Sequence, residues 1–254
     1  MTEPDAGYAA YLRGHLPGAQ YAHLDDDLSA EPAPHEGRHP LPDPRDLAER
    51  LGHWGIANSS HVVVYDDASG AIAARLWWLL HWLGHDRVSV LDGGLKAWVD
   101  AGGMLEQGAA EPQSANFTPT AVHDRWVVAT GDIPLAIGSG ALILDARSET
   151  RFRGDEEPID PVAGHVPNAR NLPFTELLSD DGCFLPREEL RTRLEDVLDG
   201  HASSAVVTMC GSGVTACHLS LAFAAAELER GRLYAGSWSE WIRDEGREIA
   251  IGAE

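Results

Sequence analysis

Cys210 stands where an apolar run, "AVVTM", stops, and none of the five residues behind it, Gly211, Ser212, Gly213, Val214 and Thr215, is large. A cysteine so placed is a candidate nucleophile. Gly211 and Gly213 permit backbone conformations that other residues resist. A tight turn built on them, leading into a helix that begins near Val214 or Thr215, aims successive N–H groups inward and makes a concavity for an anion. The positive end of the helix adds to it. The anion is either a substrate oxyanion or the sulfur of Cys210 itself as thiolate, the reactive form of a thiol. Ser212 adds a hydroxyl that can donate. The plainer reading, a small buried hydrophobe, is weakened by the Gly-Ser-Gly setting. A cysteine in an N–H-lined loop also suits phosphate monoesters. That chemistry needs an arginine six residues after the cysteine, where Ala216 stands. Cys183, in "DDGCFLPREEL", reads as incidental, and Cys217, inside the predicted helix, as packing.

The elements that must position this loop are written twice in the chain. "GHLPGA" at 14–19 recurs as "GHVPNA" at 164–169, "VVVYDD" at 62–67 resembles "VVTMCG" at 206–211, and "DGGLKAW" at 92–98 resembles "AGSWSEW" at 235–241. The offsets are 150, 144 and 143 residues, in the same order. Such a spacing is too long for a solenoid and reads as a duplicated domain. In each copy a β-branched apolar run ends abruptly, as buried parallel strands do. "AARLWWLLHWLG" and "TACHLSLAFAAAEL" then follow with helical spacing, and "DRVSVLDGG" and "GRLYAGS" are strands again. Strand, helix, strand at this density predicts an α/β fold: two tandem domains, each a parallel sheet flanked by helices. We expect the first over 1–105, a linker over 106–123 and the second over 124–254. "GALILDARSE" at 140–149 opens the second sheet, whereas the first copy shows no match to that strand: only "MTEPDAGYAAYL" precedes Arg13, so either the first sheet lacks its opening strand or the chain start is mis-set. Parallel sheets place ligands at the C-terminal ends of their strands, where Cys210 sits. The first copy carries Asp66 at that position, where no thiol nucleophile is available. The aromatic run "LWWLLHW" has helical spacing and reads as core.

Composition narrows the partners. The 254 residues are 44% hydrophobic and 23% charged, ordinary for a globular chain. With 40 acidic against 19 basic side chains the formal charge is −21. Nucleic acid and anionic membrane attract cationic surfaces, so neither is an expected partner. Three cysteines do not make a disulfide framework and fit a reducing compartment. The start lacks the basic and apolar regions of a signal peptide, and no apolar run reaches membrane length. A cytoplasmic location is expected.

"CGSGVTAC" resembles the active-site loop of the rhodanese superfamily, in its mercaptopyruvate sulfurtransferase form. "GHLPGA" and "GHVPNARNLPF" resemble the family's GHIPGA signature, "LILDARSETRFRG" its D-A-R strand and R-F-x-G stretch, and "VLDGGLKAW" and "LYAGSWSEW" its domain-closing strand and turn. The resemblance covers nearly the whole chain and implies two tandem rhodanese-like domains, the first of them inactive. It implies an enzyme that takes a sulfane sulfur from 3-mercaptopyruvate or thiosulfate onto Cys210 as a persulfide. The sulfur then passes to a thiophilic acceptor such as cyanide, a thiol or thioredoxin. No metal or organic cofactor is implied. By resemblance Ser212 belongs to a Cys-Ser-Asp relay whose acid is Asp25, in "HLDDDL". His39, in "GRHPLP", belongs to the edge of the donor site. Arg151 holds the donor's anion, and Gly211, Gly213, Val214 and Thr215 supply N–H and hydroxyl groups to the sulfur. Arg153 reads as a surface ion pair and Arg147 as an internal brace. Thiosulfate-preferring members carry an Arg and a Lys inside the loop, and "CGSGVTA" has neither. The mercaptopyruvate enzymes carry a second arginine nine residues after the first, where this chain has Asp160. The loop leans towards mercaptopyruvate and Asp160 against it. The rival reading is a non-catalytic sulfur-carrier or binding module.

Overall fold

The computed structural model describes residues 6–253. Residues 1–5 of the expected first domain and Glu254 of the second lie outside the described residues. The chain forms two compact units. One holds residues 6–30 with Leu41–Val122, and the other Glu31–Pro40 with residues 123–253.

The first unit comprises α1 (Ala6–Arg13), α2 (Pro44–His53), β1 (Val62–Val64), α3 (Ala73–Trp82), β2 (Val88–Val90) and α4 (Gly94–Asp100). Asp43 caps α2 by accepting the N–H of Arg45 at 2.8 Å, with Pro44 pre-set at the first helical position. All ten residues of α3 are buried, including Trp77, Trp78 and Trp82. A helix that is apolar on every side belongs inside, which is where the tryptophan run was expected. β1 and β2 pair in parallel, Val62 opposite Val88. Among the described residues this sheet has two strands, and no strand precedes β1.

The second unit follows with α5 (Ile133–Gly138), β3 (Leu142–Asp145), α6 (Glu149–Arg153), β4 (Ala169–Asn171), α7 (Arg187–Leu198), β5 (Val206–Met209), α8 (Thr215–Ala225), β6 (Arg232–Leu233) and α9 (Ser237–Trp241). Its four strands are all parallel, in the order β4-β3-β5-β6. The inner strands β3 and β5 are buried at every residue, as strands covered on both faces must be. Leu142 pairs with Val206 and Asp145 with Met209, so both strands end together. Ile143, Val207, Met209, Phe152, Tyr234, Trp238 and Trp241 form the core beside them.

The duplication is visible in atomic detail. In each unit the histidine of the repeated GH motif makes an antiparallel bridge to the unit's last segment, His15 to Glu106 and His165 to Ala250. Nδ1 of His15 donates to the Tyr11 carbonyl at 2.9 Å and Nδ1 of His165 to the Phe152 carbonyl at 2.8 Å. Each imidazole stacks on that same aromatic ring, with centroids 4.1 and 3.7 Å apart. Burial holds the His165 imidazole below its usual pKa, which suits an uncharged stacked ring. The GH signature is therefore a structural clasp in both units.

The two loops that follow β1 and β5 differ in what fills them. In the first unit Asp66 accepts four backbone N–H groups of its own loop, from Ala68 (2.9 Å), Gly70 (2.8 Å), Ile72 (2.9 Å) and Ala73 (2.8 Å). The anion cradle there is occupied by the chain's own carboxylate. Arg75, buried in α3, sends Nε and Nη2 to the Leu28 carbonyl at 3.4 Å each.

Candidate active site

In the second unit the corresponding loop is wrapped around a sulfur. Cys210 follows β5 directly and is 2% exposed. Gly213 donates its N–H to the Cys210 Sγ at 3.1 Å. The loop that makes this contact possible is held from behind by α9. The Trp238 N–H donates to the Cys210 carbonyl at 3.0 Å, the Ser239 N–H to the Gly211 carbonyl at 2.8 Å, and the Cys210 N–H to the Ser237 hydroxyl at 3.0 Å. Val214 is the buried residue before α8, and Thr215 is the first residue of that helix. The thiol thus lies beside the N-terminus of α8, with one backbone N–H aimed at its sulfur.

Gly213 sits at φ +78°, and a Cβ there would run into the Ala235 carbonyl oxygen. Gly213→Ala is expected to destabilise the second unit by about 1–3 kcal/mol, because a left-handed residue with a side chain must displace backbone. It also rotates the N–H away from sulfur, so activity is expected to fall at least about tenfold, the scale of losing one preorganised donor. Thermal unfolding and a sulfur-transfer assay on the purified variant check both parts.

The segment Glu31–Pro40 belongs to this unit and runs across the same support. Gly37 has no room for a side chain against the Gly236 carbonyl and the Ser239 hydroxyl. The Arg38 N–H donates to that hydroxyl at 3.0 Å. The next residue, His39, forms a 2.7 Å hydrogen bond between its Nδ1 and the Ser212 hydroxyl. The strap therefore brings His39 to the loop serine across 173 positions of sequence. Asp25, the remaining member of the expected relay, lies on an exposed turn of the first unit.

Arg151 comes from α6 and Arg38 from the strap, and both reach Gly211. A methyl group on Gly211 would stand 3.0 Å from Nη2 of Arg38 and 3.4 Å from both Nη atoms of Arg151. Behind them lies a chain of alternating charge. Arg38 Nη1 pairs with Asp160, whose other oxygen accepts from Arg151 Nη2 at 3.0 Å. Arg151 Nε also binds both oxygens of Glu157, at 3.0 and 3.1 Å. Glu157 accepts two further N–H groups, from Ile159 and Asp160, and meets Arg147 Nη1 at 3.5 Å. Arg147 in turn clasps the buried Asp145 at the end of β3. Burial pushes the Asp160 carboxyl above the usual carboxylate range, against the pull of the two arginines. Burial pushes Glu157 the same way, but Arg151 and the two backbone donors outweigh it, and its carboxyl rests below that range. Arg153 is at the surface with Asp155 and Glu149.

Three groups here escaped sequence reasoning. Arg38 stands beside His39 in "GRHPLP" and carried no local signal. Glu157 and Ser237 act through partners fixed only by the fold. Together the loop offers a thiol that accepts the Gly213 N–H, a hydroxyl joined to an imidazole, and two guanidiniums over the adjacent glycine. That set can stabilise a thiolate, hold a donor's anionic group and receive a transferred atom on sulfur.

A family model described as a rhodanese-like domain matches residues 4–101 and 134–244. A Pseudomonas aeruginosa protein named as a probable 3-mercaptopyruvate sulfurtransferase is 48% identical over 257 residues, 99% of this chain and 89% of its own length. A Mycobacterium tuberculosis protein, named provisionally as a thiosulfate sulfurtransferase, is 44% identical over 99% of this chain and 88% of its own length. The solved 3-mercaptopyruvate sulfurtransferase of Leishmania major superposes with a TM-score of 0.85 at 34% identity, covering 95% of this chain and 67% of that one.

Proposed function

The chain belongs to the rhodanese superfamily as a two-domain sulfurtransferase, and on that premise we propose that Cys210 is the residue that carries the sulfur, as a persulfide, with 3-mercaptopyruvate as the preferred donor. The observation that carries the assignment is the Gly213 N–H aimed at the Cys210 Sγ from 3.1 Å, at the start of α8. The thiolate attacks the donor's sulfur. An S–S bond forms as the C–S bond breaks, and the electron pair of the broken bond leaves on carbon as the enolate of pyruvate, which takes up a proton. The loop's N–H groups then face the outer sulfur of the persulfide, which is anionic at neutral pH. A thiolate acceptor attacks that outer sulfur and releases Cys210 as thiolate, completing a double displacement. Ser212, joined to His39 and two residues from Cys210, serves the proton transfer. Arg151 takes the donor's anionic group, since its fork donates several bonds in fixed geometry. Gly211, Val214 and Thr215 line the cradle with Gly213.

The loop supports mercaptopyruvate over thiosulfate because no charged residue stands between Cys210 and Ala216 to neutralise a dianion. The acceptor class is a small thiol, cyanide or a thioredoxin-like protein. None of the three cysteines is in a disulfide among the described residues, which supports a reducing, cytoplasmic setting. Among the described residues no helix is long and apolar enough to cross a membrane.

Mass spectrometry of the protein after mixing with 3-mercaptopyruvate, and separately with thiosulfate, tests the assignment. A gain of one sulfur atom, mapped to the peptide holding Cys210 and formed faster from 3-mercaptopyruvate, is expected. Loading at another residue, or at none, would overturn it, and the sulfur-free case would turn attention to a carrier or binding role.

A further inference from the structure

We infer that Arg38 is a specificity-determining residue: with Arg151 it forms a paired clamp for the carboxylate of a monoanionic 2-oxo thiol donor, held at its spacing by Asp160. The inference rests on the assignment of sulfur transfer to Cys210. Four observations carry it.

The first is shared support. Arg38 is pinned through its own N–H to Ser239, and the Ser239 N–H pins Gly211. The strap and the cysteine loop hang from one residue of α9, so the backbone of Arg38 is fixed relative to the loop. The second is bridging. One carboxylate, that of Asp160, joins Arg38 Nη1 to Arg151 Nη2, and its side chain is only 3% exposed. A carboxylate shared by two forks fixes the distance between them, so Asp160 has a positioning role where an arginine would otherwise bind the donor directly. The third is vacancy of donors. Among the described residues Nη2 of Arg38 and Nη1 of Arg151 make no hydrogen bond, and Nη2 of Arg38 and both Nη atoms of Arg151 lie closest to the Gly211 face. Two guanidinium N–H groups near the same glycine suit the two oxygens of a planar carboxylate. The fourth is charge. Arg38, Arg147 and Arg151 alternate with Asp145, Glu157 and Asp160, so the clamp is formally neutral. A formally neutral clamp has no net charge to offset the donor, so one negative charge is held by directed hydrogen bonds alone and a second, repelled by Asp160 and Glu157, costs more.

A purely structural ion pair predicts differently, and three variants separate the two. Donor KM and kcat are measured for 3-mercaptopyruvate and thiosulfate in wild type, Arg38→Gln, Asp160→Asn and the double variant Arg38→Gln/Asp160→Asn, with Cys210 loading followed by mass in each. We expect Arg38→Gln to raise the KM for 3-mercaptopyruvate about 10- to 100-fold, with the loss falling on KM more than on kcat, as removal of a binding contact does. Asp160→Asn gives the clamp a net positive charge, and the ratio of kcat/KM values is expected to move about tenfold towards thiosulfate. The double variant removes both partners of the ion pair, so it relieves the unpaired charge that a single change leaves. If the pair served folding alone, the double variant would recover the wild-type KM; under the inference KM stays raised. Recovery there, or an Arg38→Gln effect confined to kcat, or no movement of donor preference in Asp160→Asn, would overturn the clamp while leaving sulfur transfer at Cys210 intact. A wild type that loads no sulfur from either donor would overturn both.

Discussion

Cys210→Ser is expected to abolish sulfur transfer, lowering turnover by about 10³-fold or more, the scale seen when a covalent nucleophile is removed. The reason is chemical and not steric. A serine hydroxyl can take up the Gly213 N–H that now reaches the sulfur, and it fits the space of a side chain only 2% exposed. It cannot attack a sulfur atom at neutral pH or carry one as a persulfide. The variant should therefore fold with nearly the wild-type melting temperature while gaining no sulfur from either donor. Cys183→Ser is the matched control, since that thiol sits in a half-buried loop before α7 and is expected to leave turnover within about twofold, as substitutions away from special features do. Residual transfer in Cys210→Ser above a hundredth of wild type, with the protein intact, would show that another residue carries the sulfur.

The second large effect concerns stability. Arg147→Leu is expected to cost about 3–5 kcal/mol, the usual penalty for stripping one partner from a buried ion pair. The Arg147 guanidinium makes three contacts with the Asp145 carboxylate, at 3.1, 2.9 and 2.7 Å, and donates to the Gly164 carbonyl at 2.9 Å. It also lies 4.9 Å from the centroid of the buried Trp238 ring. Burial pulls the guanidinium towards neutrality, yet the charge of Asp145 and its hydrogen bonds outweigh this and hold Arg147 above its ordinary pKa. Leucine would fill part of the space and leave the Asp145 carboxylate, fully buried at the end of β3, facing an apolar side chain. Arg147→Lys keeps the charge and loses the fork, so it should fall between leucine and wild type. Urea unfolding, followed by tryptophan fluorescence, measures the series. A change below about 1 kcal/mol for Arg147→Leu would mean that Asp145 is neutral or relieved by rearrangement.

Much of this was legible in the residues because its causes are local. Runs such as "LILD" and "AVVTM" are β-branched or long apolar residues, and buried strands need little else. The Gly-Ser-Gly stretch announces a turn that larger residues could not make. The twin GH motifs were legible as a repeat, and their histidines now prove to share one job, a bridge and a stack in each unit. What stayed hidden depends on partners remote in sequence. Nothing around Arg38 says that Asp160, 122 residues later, will meet it. Asp160 itself could be read only as an acid in an unsuitable place, because its burial and its two arginines exist only in the fold. Glu157 was likewise one of several acids in "GDEEPID" until Arg151 singled it out.

The strap has a consequence for how such a protein can be divided. A duplicated gene ordinarily leaves two modules that recombination can separate and reuse. Here ten residues encoded in the first half have been absorbed into the second unit. A fragment starting at residue 123 would inherit Cys210, Ser212 and Arg151 but neither Arg38 nor His39. The two halves are therefore not interchangeable parts: the first half of the sequence supplies Arg38 and His39 to the unit that holds Cys210.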